Sequence, residues 1–322
     1  MARRDADTNF IRIIACFFVV MIHCSYPATE VGRFLRAFSS FSVPIFVMIS
    51  GHYMLDSKRS AKRLGGKIVK LGLILLGCSA AYFGLELLLE LRSYENVGGL
   101  IEYLLTEPIH LWYLYAIGLL YALTPLLRVF HRNASRGEYR YALLLTFLLG
   151  SLLFVAMRAE LSPTLAKIVD KMKVDYTCGY LFCYLFGGYY RKFGLQYRKT
   201  LVVVGVAALT VTAIGYTLYS GERAHLLTSY FFPGVLLGAV GLYSGLRLML
   251  ARFKPHWEMN TLANATFGIY LWHPALILLL QKMSTEPLSA WYAIPLRTVA
   301  VFSACALPMM LYVKLKKMSR RA

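Results

Sequence analysis

Arg12 and His23 stand eleven residues apart in an otherwise apolar stretch, "NFIRIIACFFVVMIHCSYP", and both side chains can take part in chemistry. Eleven residues are close to three turns of an α-helix, so the two side chains share one face and lie about 16 Å apart along its axis. An imidazole at His23 suits a general base, and a guanidinium at Arg12 suits the phosphate groups of a ligand. The structural alternatives are snorkelling of Arg12 to the headgroups and a helix-to-helix hydrogen bond from His23.

The next apolar stretch, "FSVPIFVMISGHYML", carries Pro44, Ser50, Gly51 and His52. Proline and a Ser-Gly pair loosen a membrane helix and let a ligand or a neighbouring helix approach its backbone. A ligand site that includes Ser50 and a kinked helix that only packs are both open interpretations of this stretch.

A dense basic segment, "DSKRSAKRLGGKIVK", follows at residues 56–70 and contains two glycines. We interpret it as a cytoplasmic loop, for which phosphate binding is one interpretation. Most loops of this kind only set the topology or contact anionic lipid, which is the alternative. The side chains expected to meet phosphate are Arg59, Lys62, Arg63, Lys67 and Lys70.

Two further stretches combine histidine with aromatic residues. His110, Trp112 and Tyr113 begin the run "HLWYLYAIGLLYALTPLLR", and Tyr270 and His273 lie in "FGIYLWHPALIL". Histidine beside tryptophan at the mouth of a membrane protein is typical of a platform for a sugar or an acyl acceptor. An aromatic belt and helix packing are the simpler interpretations of each stretch taken singly.

The composition indicates which elements must position these residues. The chain has 322 residues, 58% of them hydrophobic, and a mean hydropathy of +0.56, which together predict a polytopic membrane protein. Long apolar runs favour helices over a barrel of short alternating strands. The six cysteines lie in apolar runs without a CxxC, so neither a disulfide framework nor a zinc site is expected.

The fold class predicted is all-α, with about ten transmembrane helices of about 20 residues each. We treat residues 1–322 as a single transmembrane domain with no additional soluble domain. An even number of crossings places both termini on the same side of the membrane. The predicted helices are 10–28, 38–55, 68–91, 110–128, 139–157, 175–191, 200–219, 228–250, 262–281 and 290–313.

The net charge of +19 is best explained by membrane topology. With a cytoplasmic N-terminus, 22 basic residues fall in the cytoplasmic segments and 9 in the outer ones, so the positive-inside rule favours cytoplasmic termini. Nucleic-acid binding is not expected, because the basic residues lie in short loops and not on one soluble face. Arg3 and Arg4 before an apolar run are typical of a signal peptide, but the poor cleavage site favours a retained first helix.

Four sequence patterns together resemble the acyltransferase-3 family of integral-membrane acyltransferases. They are an R-x10-H pattern in "IRIIACFFVVMIH", followed by "VPIFVMISGHYML", "HLWYLYAIGLLYALTPLLR" and "FGIYLWHPALI". The resemblance is greatest to the short branch that O-acetylates cell-surface polysaccharides, such as the enterobacterial common antigen O-acetyltransferases. The chain has Asn9 where the family usually has an aspartate, and an amide can hydrogen-bond without neutralising Arg12.

This resemblance implies acetyl transfer from cytoplasmic acetyl-CoA to a hydroxyl of a cell-surface glycan or a lipid-linked sugar, at the bacterial inner membrane. His23 would act as the general base, or as the carrier of an acyl-histidine intermediate, and Arg12 would act at the catalytic and donor sites. Donor binding would also involve Ser50, Arg59, Lys62, Arg63, Lys67 and Lys70. Acceptor binding would fall to His110, Trp112, Tyr113, Tyr270 and His273, and no metal is expected.

Two other functions remain open from the sequence. Ten helices with ionisable residues inside the membrane also describe a secondary transporter or flippase, although no paired broken helices or duplicated halves are present. A substrate-handling module, like the acyltransferase-like portion of membrane serine racemases, is the other alternative. The remaining partners expected are membrane lipids, and the sequence is compatible with a homo-oligomer.

Overall fold

The described part of the chain is helical. A computed structural model describes residues 4–25, 29–93, 96–106, 109–158, 177–219, 221–250, 257–283 and 292–319. These residues contain no strand, which confirms the all-α prediction. The helices are α1 (Arg4–Cys24), α2 (Glu30–Ser39), α3 (Ser42–Met54), α4 (Ala61–Leu88), α5 (Val97–Thr106), α6 (Trp112–Asn133), α7 (Arg136–Phe147), α8 (Leu153–Arg158), α9 (Thr177–Phe193), α10 (Arg198–Leu218), α11 (Pro233–Met249), α12 (Trp257–Met283) and α13 (Ala293–Ser319).

Nine helical segments of the described residues are long and apolar enough to cross a membrane. α9 has 17 described residues and lies at the position of the predicted sixth span. Helices of this length and composition make the chain a multi-pass membrane protein, as predicted. The side of the membrane on which each terminus lies stays a prediction, and so does the treatment of the chain as one domain.

The second span begins eight residues earlier than predicted. Instead of 38–55, the apolar segment runs from Glu30 to Met54 as α2 and α3. The Thr29 hydroxyl accepts a hydrogen bond from the Gly32 N–H at 3.0 Å and so caps the helix. The predicted boundary was wrong because Arg33 was taken as a loop residue. In the structure its Nε donates to the Tyr216 carbonyl at 3.0 Å, which lets the cation lie within a helix.

The basic segment at 56–70 is a loop only as far as residue 60. The Ser60 hydroxyl accepts a hydrogen bond from the Arg63 N–H at 3.4 Å, and α4 begins at Ala61. The prediction of a loop over the whole segment was therefore wrong, since its second half, including Lys67 and Lys70, forms the first turns of a membrane helix.

α3 and α9 pack backbone against backbone. A Cβ added to Gly51 would lie 1.9 Å from the Tyr184 carbonyl oxygen, and one added to Gly187 would lie 1.9 Å from the Met48 carbonyl oxygen. Only glycine permits such an approach. The expectation that the Ser-Gly pair admits a neighbouring helix is confirmed, and the contact fixes the position of α3.

Basic side chains that the positive-inside rule assigns to one side meet at one end of the bundle, here called the basic end. The buried Arg128 guanidinium donates to the Arg59 carbonyl. Arg191 forms an ion pair with Asp56 at 3.0 Å. Distant parts of the sequence thus converge at the end that the topology assigns to the cytoplasm.

Candidate active site

A cavity of about 240 Å³, here called the central cavity, lies among α1, α3, α6 and α12. It contains side chains from all four sequence patterns. The residues predicted at the site that line it are Arg12, His23, Ser50, His110, Trp112, Tyr113 and Tyr270. The helices therefore bring together residues as far apart in the sequence as 12 and 270.

The first helix presents one face to this cavity. Arg12, Val19 and His23 all line it, at spacings of seven and four residues that keep side chains on one side of a helix. Arg12 is half-buried and has no carboxylate partner among the described residues. Its guanidinium is therefore available to an anionic ligand.

A second cavity of about 550 Å³, here called the basic cavity, opens from the basic end. Arg59 and Lys67 line it, and the Lys67 Nζ lies 5.3 Å from the centre of the Tyr121 ring. The basic cavity adjoins the central cavity, because four side chains line both of them. The shared residues are Arg12, Ser50, Tyr121 and Asn264.

Three of the basic residues predicted to bind phosphate lie outside the basic cavity. Lys62, Arg63 and Lys70 are exposed on α4 and are not part of the lining of the basic cavity. Because helix geometry turns successive side chains by about 100°, only one side of α4 faces the cavity. A role for these three in donor binding stays a prediction.

Asn9 has a defined partner. Its Nδ2 donates to the Asn260 Oδ1 at 2.8 Å, and both amides line the basic cavity. Asn9 is three residues before Arg12, so it lies one helical turn away on the same side. At the position where the family usually has an acid, this chain therefore has an uncharged amide pair.

A third cavity of about 580 Å³, here called the aromatic cavity, lies on the other side of the central one. The Trp112 ring is stacked between Tyr180 and Tyr230, with ring centres 5.6 and 5.5 Å away. Trp112 and Tyr230 line both this cavity and the central one. Arg36 also lines the aromatic cavity, and its Nη1 donates to the Ile22 carbonyl at 3.4 Å.

Three histidines cluster beside the central cavity. The ring centres of His23 and His273 are 5.0 Å apart, and those of His110 and His273 are 6.1 Å apart. His273 is fully buried behind His23 and is not part of the cavity lining. The Tyr270 hydroxyl donates to the His110 carbonyl at 2.7 Å, which ties α12 to the turn before α6.

Several lining residues were missed by the sequence analysis. Tyr121 follows Tyr113 by two helical turns, and Asn260 and Asn264 are one turn apart at the start of an apolar span. Polar residues at these spacings were a usable signal, because a polar side chain in a membrane helix needs a partner or a cavity. Arg36 was missed because it was assigned to a loop.

The side chains that line the three cavities include basic, aromatic and histidine residues. Among the described residues, no group of three histidine, cysteine or acidic side chains is arranged to hold a metal ion. The arrangement instead offers a cation at one end, a base in the middle and stacked aromatic rings at the other end.

A family model described as an acyltransferase domain, Acyl_transf_3, matches residues 5–313. No curated protein and no solved structure gives a match. Because the match covers nearly the whole chain, including every helix that lines the three cavities, the protein is a membrane acyltransferase of the acyltransferase-3 family.

Proposed function

We propose that the protein transfers an acetyl group from cytoplasmic acetyl-CoA to a hydroxyl group of a cell-surface glycan or a lipid-linked sugar. The proposed location is a bacterial inner membrane, with both termini in the cytoplasm. The observation that carries the proposal is that Arg12 and His23 line one small cavity that adjoins a basic cavity and an aromatic cavity.

The basic cavity suits the nucleotide end of the donor. Coenzyme A carries several phosphate charges, and Arg12, Arg59 and Lys67 offer three cations around one cavity. The pantetheine arm is long and slender, so it can pass the shared side chains Ser50 and Tyr121 into the central cavity. There the thioester comes within reach of His23.

His23 supplies the base in this proposal. The acceptor hydroxyl oxygen attacks the thioester carbonyl carbon while its proton moves to a neutral His23 nitrogen. The carbon–sulfur bond then breaks, the sulfur leaves as thiolate, and the imidazolium returns the proton to it. A base in this role contributes on the order of 10² to 10⁴ in rate.

The aromatic cavity suits the acceptor. Sugars bind through the flat apolar faces of their rings as well as through hydroxyl groups, and the rings of Trp112 and Tyr180 offer such faces. Arg36, Ser229 and Thr228 add polar groups to the same lining. Because Trp112 also lines the central cavity, an acceptor stacked on it lies beside His23.

The test uses membranes that contain the natural acceptors, with radiolabelled acetyl-CoA as donor and label in extracted glycan and lipid as the readout. We expect His23→Gln to lower the rate of incorporation by on the order of 10²- to 10⁴-fold, while the purified variant still elutes as a folded protein. Arg12→Ala should raise the KM for acetyl-CoA, whereas Arg132→Ala, an exposed charge outside the three cavities, should not. Wild-type incorporation by the His23 variant would contradict the assigned base.

The same membranes distinguish an enzyme from a transporter. A transporter or flippase would move a solute or a lipid across sealed vesicles without consuming acetyl-CoA. An acetyltransferase would consume acetyl-CoA and add an acetyl group to surface glycans, which mass spectrometry detects. Substrate movement without any acetyl-CoA consumption would replace the proposal with the transporter alternative.

A further inference from the structure

His273 has one ring nitrogen satisfied and one without a partner. Its Nδ1 lies 3.0 Å from the Ile269 carbonyl oxygen. A carbonyl only accepts, so Nδ1 must carry the hydrogen, and a neutral imidazole then has its lone pair on Nε2. That Nε2 is buried, and among the described residues nothing donates to it.

The helix around His273 is held by an unusual contact. Pro274 has no N–H, which interrupts the helical hydrogen bonds at this point. The Tyr82 hydroxyl of α4 donates to the Leu271 carbonyl at 2.8 Å and accepts from the Ala275 N–H at 3.1 Å. A side chain inserted between these two groups fixes the backbone of α12 on both sides of the histidine.

His23 is the ring best placed to meet the unpaired nitrogen. With the two ring centres 5.0 Å apart, nitrogen atoms on facing edges come within hydrogen-bond distance after a small rotation. Arg36 lies near enough to His23 to act on it as a positive charge. The other polar side chains that line the central cavity with His23 include His110, Tyr113 and Tyr270, and none of the lining residues is a carboxylate. Among the described residues near His23 there is thus no carboxylate that could orient the imidazole.

We propose that His273 is a positioning residue that takes the place of such a carboxylate. Its Nε2 accepts the N–H of His23, which turns the other His23 nitrogen towards the central cavity as the base. When that nitrogen takes the proton of the acceptor hydroxyl, the imidazolium keeps its hydrogen bond to His273. The proton then passes to the sulfur of the departing CoA, so His273 neither gains nor loses a proton. This inference rests on the proposed function.

The experiment compares His273→Gln with His273→Met, two side chains of similar size of which only glutamine has an oxygen that accepts a hydrogen bond. Each variant is purified, added back to acceptor-containing membranes and assayed with labelled acetyl-CoA. For the methionine variant we expect kcat to fall about 10- to 100-fold, as for loss of a hydrogen bond to a charged group. Its KM for acetyl-CoA should stay within about threefold of wild type, because the donor's phosphates lie at the basic end. The glutamine variant should recover most of kcat.

A second measurement does not depend on activity. Nitrogen-15 NMR of labelled histidine reports which ring nitrogen of His23 carries the hydrogen. We expect one tautomer in the wild type and the glutamine variant, and a mixture in the methionine variant. Equal activity and equal tautomer populations in the two variants would overturn the role of His273. Loss of activity through KM alone would do the same.

The outcomes separate this inference from the proposed function. If the wild type consumes no acetyl-CoA, the proposed function fails, and the NMR comparison still decides whether His273 orients His23. If the wild type is active, His23→Gln shows the expected loss of rate and His273→Met matches the wild type, only the positioning role fails.

Discussion

The backbone contact between α3 and α9 predicts a large effect from one added methyl group. In Gly187→Ala the new Cβ would lie 1.9 Å from the Met48 carbonyl oxygen, whereas real Cβ atoms essentially never come closer than 3.0 Å. The two helices must therefore separate by roughly 1 Å. Overpacking of this kind costs about 1–3 kcal/mol.

Gly72→Ala is the matched control. Gly72 is an exposed glycine in the interior of α4, and a Cβ there would meet nothing within 4 Å. The substitution should stabilise the helix by about 0.5–1 kcal/mol, because alanine loses less conformational freedom than glycine. The free energies of unfolding of the two Gly→Ala variants should thus differ by about 1.5–4 kcal/mol.

The assay is the fraction of protein that elutes as a folded monodisperse peak after heating in detergent. We expect the midpoint of Gly187→Ala below wild type and that of Gly72→Ala at or above it. Transfer activity should also fall in Gly187→Ala, because α3 carries Ser50 at the junction of the basic and central cavities and a shift of about 1 Å can cost on the order of 10²-fold in rate. A midpoint for Gly187→Ala equal to or above that of Gly72→Ala would refute the close approach.

Three further predictions concern the basic end. Lys67→Met should raise the KM for acetyl-CoA about 10-fold. Lys70→Met tests the donor-binding role that the sequence predicts for Lys70, and because this side chain lies outside the cavity lining we expect the KM to change less than about 2-fold. Equal effects of the two substitutions in donor titrations would count against the basic cavity as the donor site. Asn9→Asp should retain activity, because Asn260 can turn its amide to donate to the new carboxylate, whereas Asn9→Leu should weaken donor binding. Weaker donor binding by Asn9→Asp than by Asn9→Leu in the same titrations would contradict a role for the amide pair. Arg128→Ala removes three hydrogen bonds to the 54–59 segment. We expect the KM for the donor to rise about 10-fold with kcat retained. A fall in kcat at constant KM would disprove a donor-side role for Arg128.

The sequence predicted the helices well, since long apolar runs leave a membrane chain few alternatives. It also predicted that Arg12 and His23 share a face, because the spacing of a helix is fixed. The predicted helix boundaries were wrong where a capped start or a half-buried, hydrogen-bonded cation extended a helix. Glu30 begins the second span because Thr29 caps it, and the short α5 at Val97–Thr106 was not predicted.

The partners of each site residue were beyond the sequence. The sequence around Gly51 does not indicate that Gly51 contacts Tyr184, since helix pairing depends on the packing of the whole bundle. The insertion of Tyr82 next to Pro274 is of the same kind, because the two are far apart in the sequence. The sequence therefore placed His273 at the site but gave it an acceptor-binding role. Its position behind His23 follows only from the fold.

The sizes of the cavities bear on how, under the proposed function, a cytoplasmic donor can react with an acceptor bound in a different cavity. The central cavity, at about 240 Å³, is below the range of about 300–1,000 Å³ typical of sites that enclose a whole drug-sized ligand. A coenzyme A nucleotide is too large for it, so under the proposed function the nucleotide stays among the cations of the basic cavity. In the same proposal only the acylated end of the arm enters the central cavity, and the acceptor approaches from the aromatic cavity past Trp112. Under the proposed function, the central cavity, which is bordered by Arg12 and Tyr121 on the basic side, therefore has room for the acyl group but not for the whole of coenzyme A.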